Sequence, residues 1–243
     1  MFRNVHERDA FIAFEAGPHK YTCKGETNYM SVTTWNHTHF SPFDADAIIK
    51  KMRLDKPSSP YYGQTPEKIK AGWEKGRDEA AQLGTELHAA IEQYWLGGEK
   101  GQVRVSPHFD AFVAAHPQLK PYRAEWMIFD EDVRLAGSID FVCENPDGTL
   151  TIYDWKRCKE IKKTNGFGTF ARTECIDHLP DTNYWHYALQ LNTYKTILER
   201  KYAKKVAQMF LVALHPNLPT FQVYTVPILV KEMDELFAIK ALV

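Results

Sequence analysis

Asp140, Asp154 and Lys156 are the residues whose types and spacing most invite chemistry. They lie in GSIDFVCENPDGTLTIYDWK, residues 137–156. Within it, Asn145-Pro146-Asp147-Gly148 is a type I turn sequence. Asn suits the first position, Pro presets φ at the second, and Gly accepts the left-handed conformation that follows. A three-residue loop ending in a Gly bulge pairs Asn145 with Thr149. Counting outward from that pair sets Asp140 opposite Asp154. Like charges facing each other across a strand pair are destabilising. Either a raised carboxyl pKa or a bound cation must offset the repulsion. Asp154 and Lys156 are two residues apart and share a strand face, while Trp155 points the other way. A lone D-x-K is ordinarily a solvated outer face. Here Leu135, Ile139, Phe141, Leu150, Ile152, Tyr153 and Trp155 flank the acids, which predicts burial on both faces. Buried carboxylates that face each other favour a metal site.

Other residues can join this cluster if the elements bring them there. The segment Gly84-Thr85-Glu86-Leu87-His88 sits inside a helical pattern, with Glu92 one turn beyond His88. A helical histidine is usually structural, but a mid-helix glycine costs stability and suggests close approach of a backbone or ligand. Neutral imidazole also suits a transition-type divalent ion. His88 is therefore a candidate metal ligand. Glu125, in RAEWMIFD on the preceding strand, is a further candidate acid, with an edge-strand charge as the alternative. The run KRCKEIKK, 156–163, offers Arg157, Lys159, Lys162 and Lys163 beside the acids. It is either a solvated face or a cradle for phosphates. Gln190 and Tyr194 stand at i and i+4 of a helix, with Tyr187 about one turn earlier. They are candidates for binding a phosphate or positioning Lys156.

The elements that must position these groups are legible from period and punctuation. Residues 19–34 read as a short hairpin with a Gly-Glu turn. Ser41-Pro42 opens a helix to about Met52. Thr65-Pro66 starts a long helix to about Leu96, closed by Gly97-Gly98, with a core stripe of Ala80, Leu83, Leu87, Ile91 and Tyr94. A short helix at 106–116 precedes strands at 121–129, 133–143 and 149–156. A helix at 183–202, strands at 206–214 and 220–226, and a helix at 229–241 complete the chain. The order predicts an α/β fold, a mixed β-sheet core flanked by helices with an N-terminal helical and hairpin elaboration. The elaboration spans about 1–60 and packs on a core spanning 61–243, together one structural domain.

Composition bounds the class. The 243 residues are 44% hydrophobic and 25% charged, as in soluble globular proteins. No apolar run approaches a membrane span, and the start lacks a signal-peptide core, so an intracellular, soluble protein is expected. Cys23, Cys143, Cys158 and Cys175 form no zinc pattern and are expected to be reduced. A net charge of −1 gives no global attraction to nucleic acid, so any such role must come from local patches.

GTELH (84–88), GSID (137–140), DWK (154–156) and QLNTY (190–194), in that order, resemble the PD-(D/E)xK nuclease superfamily. More closely they resemble its RecB-type exonuclease branch, which includes the mitochondrial genome maintenance exonuclease. Segments around residues 31–52 and 178–202 also resemble nuclease-like proteins of large DNA viruses and phages. The resemblance implies a restriction-endonuclease-like fold and cleavage of DNA phosphodiester bonds, at free ends, in replication, recombination or repair. It implies Asp140, Asp154, His88 and Glu125 as ligands of one or two Mg²⁺ or Mn²⁺ ions. It also implies Lys156 as the catalytic lysine, assisted by Asp140 and Asp154. Gln190, Tyr194, Tyr187, Ser31, Arg157, Lys159, Lys162 and Lys163 are assigned to nucleic acid. Some relatives hold an iron-sulfur cluster through one N-terminal and three C-terminal cysteines. No cysteine follows Cys175 here, so none is expected. DNA, single-stranded or at duplex ends, is the expected partner, with RNA and the oligomeric state left open and no membrane. The alternatives are an endonuclease, a non-catalytic nucleic-acid-binding module and a hydrolase of small phosphoesters. Tyr184, Trp185 and Tyr187 favour a polymer, since bases can stack on them.

Overall fold

A computed structural model describes residues 4–97 and 104–242. After a 3₁₀ turn at Glu7–Phe11 come β1 (Ile12–Glu15), β2 (Lys20–Cys23), β3 (Met30–Ser31), α1 (Val32–Thr38), α2 (Ala45–Lys51), α3 (Pro66–Leu96) and α4 (Pro107–Ala115). Then follow β4 (Pro121–Asp130), β5 (Leu135–Glu144), β6 (Leu150–Lys156), α5 (Asn183–Lys201), β7 (Val206–Ala213), β8 (Gln222–Thr225) and α6 (Val230–Lys240). The six-stranded mixed sheet runs β3-β5-β6-β7-β8, and β4 also pairs with β5. β4, β5 and β6 form an antiparallel meander, whereas β6 and β7 are parallel. A parallel pair needs a crossover, and α5 supplies it.

The helices cover both faces of this sheet. On one side α1, α5 and α6 pack through Trp35, Leu189, Ile197 and Phe237 against Trp126, Ile128, Ile152 and Leu211. On the other, α3 and α4 pack through Leu87, Ile91, Phe109 and Phe112 against Phe141, Tyr153 and Trp155. Trp95 of α3 stacks on Phe141 at 4.4 Å between ring centroids. With both faces covered, the central strands are buried almost throughout, and β6 is buried at every residue but its last.

The meander, α4, α5, β7, β8 and α6 match the sequence expectation within a few residues. The Asn145-to-Gly148 turn forms as read: Asn145 N–H donates to the Thr149 carbonyl at 2.8 Å, and Gly148 takes a φ of +82°. Thr65 caps α3 and Pro66 occupies its first turn. Gly97 is the C-cap of α3, while Gly98 lies outside the described residues.

The N-terminal expectations need correction. Lys20–Cys23 does not pair with the following segment; it pairs antiparallel with Ile12–Glu15. The Gly25 turn exists, but it closes only a single bridge, Cys23 to Glu26. Residues 32–34, read as the end of the 19–34 hairpin, instead open helix α1, because Ser31 caps it by accepting the Thr34 N–H. The next helix starts after Ser41-Pro42, with Asp44 as its cap. The stripe on α3 is also shorter than its period suggests. Leu87 and Ile91 are buried, but Ala80 is exposed and Leu83 is 42% exposed. The first half of α3 extends past the sheet, where the segment leading into α2 and the loop before Pro66 meet it through contacts of Phe43 and Tyr61 with Trp73.

Candidate active site

Two strands change face at the site. In regular strands Ala124 and Trp126 would share one side, as would Phe141 and Ile139. Instead Ala124 and Phe141 lie in the α3/α4 core, while Trp126 and Ile139 lie in the α1/α5/α6 core. The pivots are Glu125 and Asp140, which the β4–β5 register sets opposite each other. Glu125 takes a φ of +46°, a left-handed conformation that costs a non-glycine residue on the order of 1–2 kcal/mol. Such strain persists only where the surroundings over-determine it. Its effect here is to turn a carboxylate toward Asp140.

Asp140 and Asp154 lie as the turn sequence requires. The β5–β6 ladder ends at Phe141–Tyr153, and the next pair in register would be Asp140–Asp154. The strands part there. Asp140 Oδ2 accepts the Trp155 N–H at 2.9 Å, so the carboxylate takes over a bond that the ladder gives up. Trp155 also uses its other peptide group. Its carbonyl oxygen lies 2.9 Å from His88 Nε2. A carbonyl only accepts, so Nε2 carries the proton and the Nδ1 lone pair of the neutral ring is free. Nδ1 lies 3.5 Å from Asp140 Oδ2 and 4.0 Å from Glu125 Oε1. Ligand atoms of His88, Glu125 and Asp140 all lie within 4.8 Å of one another. A carbonyl that fixes the tautomer and aim of a histidine is a common support in metal sites.

Asp154 and Lys156 complete the cluster from β6. Lys156 Nζ lies 2.7 Å from Asp154 Oδ2. Asp154 Oδ2 is held by this ion pair, whereas its buried Oδ1 has no hydrogen-bond partner. Such an orphaned acceptor is rare in folded proteins and asks for a missing partner. Lys156 Nζ also sits over the Tyr187 ring, 4.4 Å from its centroid. This cation–π contact holds the ammonium in place from α5.

Burial dominates the electrostatics. It pushes the Glu125 carboxyl up to about 8, with the charge on Asp140 adding to the rise and a 3.1 Å hydrogen bond from Ser138 opposing it. Asp154 is pushed up to about 6, burial first, against the attraction of Lys156. Burial works against the Lys156 ammonium as well, but the negative charges of Asp154 and Asp140 more than offset it and hold its pKa above the usual lysine value. Without a cation, then, Glu125 keeps its proton at neutral pH, while Asp154 is mostly ionised beside the charged Lys156. Two buried acids with raised pKa values beside Asp140 and the Nδ1 of His88 form a donor set that fits a divalent cation.

Residues assigned to nucleic acid divide into three groups. Arg157 and Lys159 line a groove beside the end of β6 and have no ion-pair partner among the described residues. Lys162 lines it too but pairs with Glu160, and Lys163 lies over the Tyr184 ring. Tyr194 is only 3% exposed, so its assignment to nucleic acid is corrected. Its hydroxyl accepts from Gln190 Nε2 at 3.1 Å. A Cβ on Gly137 would lie 2.7 Å from the Tyr194 ring, so the glycine of GSID is what lets α5 seat against β5. Gln190 and Tyr194 thus brace the Asp140 strand. The Ser31 hydroxyl is engaged in capping α1. Tyr184 is buried and donates to the Thr225 carbonyl, so it cannot stack on a base. Gly84 meets no close backbone; it borders an open cleft shared with His88, Glu92 and Glu125.

Sequence reasoning missed the Trp155 peptide, Ser138 and the Glu125 backbone. Peptide groups carry no residue signature, and nothing marks Glu125 as left-handed. The serine in GSID was visible, but its role depends on the strand opposite.

The model of the PD-(D/E)XK nuclease superfamily matches residues 61–240. The chain belongs to this superfamily. The match spans the long helix, the meander and the α5 crossover, so it includes every acid described above. No curated protein matches the sequence. Among solved structures, the crystal structure of SSO0001 is 13% identical, covers 89% of this chain and 76% of its own, and has a TM-score of 0.39. The "Putative exonuclease" from Eubacterium rectale is 14% identical over 88% of this chain and 77% of its own, also with a TM-score of 0.39. Both likenesses are too loose to assign chemistry. No described helix of this PD-(D/E)XK nuclease is long and apolar enough to cross a membrane.

Proposed function

We propose that this nuclease is a divalent-metal-dependent deoxyribonuclease acting as an exonuclease on free DNA ends. The observation that carries the reading is the pairing of a His88, Glu125 and Asp140 donor cluster with the unpartnered Oδ1 of the buried Asp154. Asp140, Asp154 and His88 would hold Mg²⁺ or Mn²⁺, with Glu125 as a further acid. Carboxylate oxygens suit both ions, and imidazole makes Mn²⁺ a good fit. Such a cation, when bound, supplies positive charge to a phosphate and acidity to a water.

The protein's own groups define the remaining roles. Lys156 is held as an ammonium, so it stabilises the negative charge that builds on the phosphate oxygens and does not act as the base. Tyr187 keeps that ammonium from swinging away. The His88 lone pair is aimed by the Trp155 carbonyl, and Asp140 is aimed by the Trp155 N–H. Both are therefore set in place before any ligand arrives. The choice of free ends, and a role in DNA replication, recombination or repair, rest on the ordered motifs GTELH, GSID, DWK and QLNTY.

Two measurements test the site together. Asp154→Asn preserves shape and is expected to lower cleavage by roughly a hundredfold or more, the scale of losing one electrostatic group. Its thermal stability should be unchanged or higher, because a buried charge is removed. Mn²⁺ at about a hundred times its Kd should stabilise the wild type by about 2.7 kcal/mol in a thermal scan. That shift should disappear in Asp140→Asn. Near-wild-type cleavage by Asp154→Asn, or a full Mn²⁺ shift in Asp140→Asn, would overturn the assignment.

A further inference from the structure

The loop between β6 and α5 carries an aromatic residue that no part of the fold uses. Phe167 is 89% exposed, at the tip of Asn165-Gly166-Phe167-Gly168-Thr169. An exposed phenylalanine on a floppy loop would mean little, but this loop is pinned. Asn165 Oδ1 accepts the Phe167 N–H at 3.1 Å and the Thr169 N–H at 3.3 Å. Asn165 Nδ2 donates to the Thr169 carbonyl at 2.9 Å and to the Asp181 carbonyl at 3.0 Å, which ties the turn to the start of α5. Gly168, at a φ of +63°, makes the reversal that turns the ring outward. One side chain thus organises the whole turn, and the turn displays one ring.

That ring borders a groove of about 610 Å³, lined also by Arg157, Lys159 and Lys162. Clefts of roughly 300–1,000 Å³ are the usual size for ligands. The groove's lining includes Arg157, the residue after Lys156, and Ala80 of α3, the residue before Ala81 of the cleft beside His88. Its charge is unbalanced toward positive. Lys162 is matched by Glu160, and Asp181 pairs with His186, but Arg157 and Lys159 have no carboxylate partner among the described residues. Unmatched cations along a groove with an aromatic platform at its rim are what an unpaired nucleotide requires: charge for its phosphates and a flat face for its base. A paired base, stacked within a duplex, offers no free face to Phe167.

We propose that this groove is a single-strand subsite, in which Arg157 and Lys159 take phosphates flanking the scissile one and Phe167 stacks on an unpaired base. The inference rests on the nuclease reading and adds to it a substrate class, DNA with an unpaired segment beside the cut. The test uses the full chain with Asp154→Asn to prevent cleavage, and single-stranded and fully paired oligonucleotides carrying 2-aminopurine. Phe167→Ala should weaken single-strand binding by about tenfold, relieve the quenching of 2-aminopurine and leave duplex binding unchanged. Phe167→Trp should restore both single-strand signals. Equal single-strand affinity in Phe167→Ala, or equal losses for single strand and duplex, would overturn the subsite while leaving the nuclease reading intact. Wild-type protein that neither cuts nor binds DNA would overturn both, so the two failures are distinguishable.

Discussion

At the scale of residues, the site is a set of charges that the folded protein alone does not balance. Glu125 is held at about 8 and Asp154 at about 6, both chiefly by burial. An acid whose folded pKa lies above its unfolded value keeps a proton in the native state that the unfolded chain has released. Stability therefore falls as pH rises from near 4.5, where the unfolded glutamate titrates, through the folded value near 8. In chelator, the melting temperature should drop between pH 5 and pH 8.5 by more than in Glu125→Gln. Mn²⁺ should reverse this trend, because cation and proton compete for the same oxygens, so its affinity should rise with pH. A melting temperature equally sensitive to pH in wild type and Glu125→Gln would show that Glu125 carries no raised pKa. Asp140, Asp154 and Lys156 were legible from turn chemistry and strand period alone. The Trp155 peptide that aims Asp140 and His88 was not, since any residue type can supply it.

At the scale of elements, the site depends on how α5 and α3 seat on the meander. α5 approaches β5 because Gly137 leaves room for the Tyr194 ring. Gly137→Ala should cost about 1–3 kcal/mol in stability, the range for overpacking a filled core. It should also reduce cleavage, although neither residue reaches solvent in the groove. Joining Gly137→Ala with Tyr194→Ala should cost less than the sum of the two, since the second change removes the clash created by the first. Additive losses would show that the two do not meet. α3 delivers His88 because its second half is buried through Leu87, Ile91 and Trp95. Periodicity predicted that stripe and extended it too far, to Ala80 and Leu83. A repeat marks which face of a helix is apolar, not how far along it the sheet reaches. Ser31 misled in a related way: its position in a helix cap decides what its hydroxyl is free to do, and β-rich neighbours concealed the helix.

At the scale of the whole molecule, the meander and the β6-α5-β7 crossover form a scaffold on which all the acids are fixed by buried strands. This part was readable because each strand is bounded by turn residues and each helix by a cap, so local signals and the global fold agree. The N-terminal segment was harder to read. Its strands are short; β2 pairs with β1 just before it, but β3 pairs with the distant β5, which sequence proximity does not indicate. Arg8 and Asp9 fasten this segment to β4 and the turn after it, through Glu131 and Arg123. Pairings more than a hundred residues apart leave no local trace. Tyr184 was offered for stacking because it lies on a conspicuous helix, but that helix buries it, and no local pattern marks Phe167 as exposed.

The most direct test of the account is cleavage of end-labelled linear and covalently closed circular DNA with Mg²⁺ or Mn²⁺, with Asp154→Asn as the control. The account predicts that linear DNA is degraded from its ends, circles survive, chelator stops the reaction and the variant is silent. Degradation of circles at the same rate would contradict the exonuclease mode, and cleavage by Asp154→Asn or in chelator would contradict the site itself.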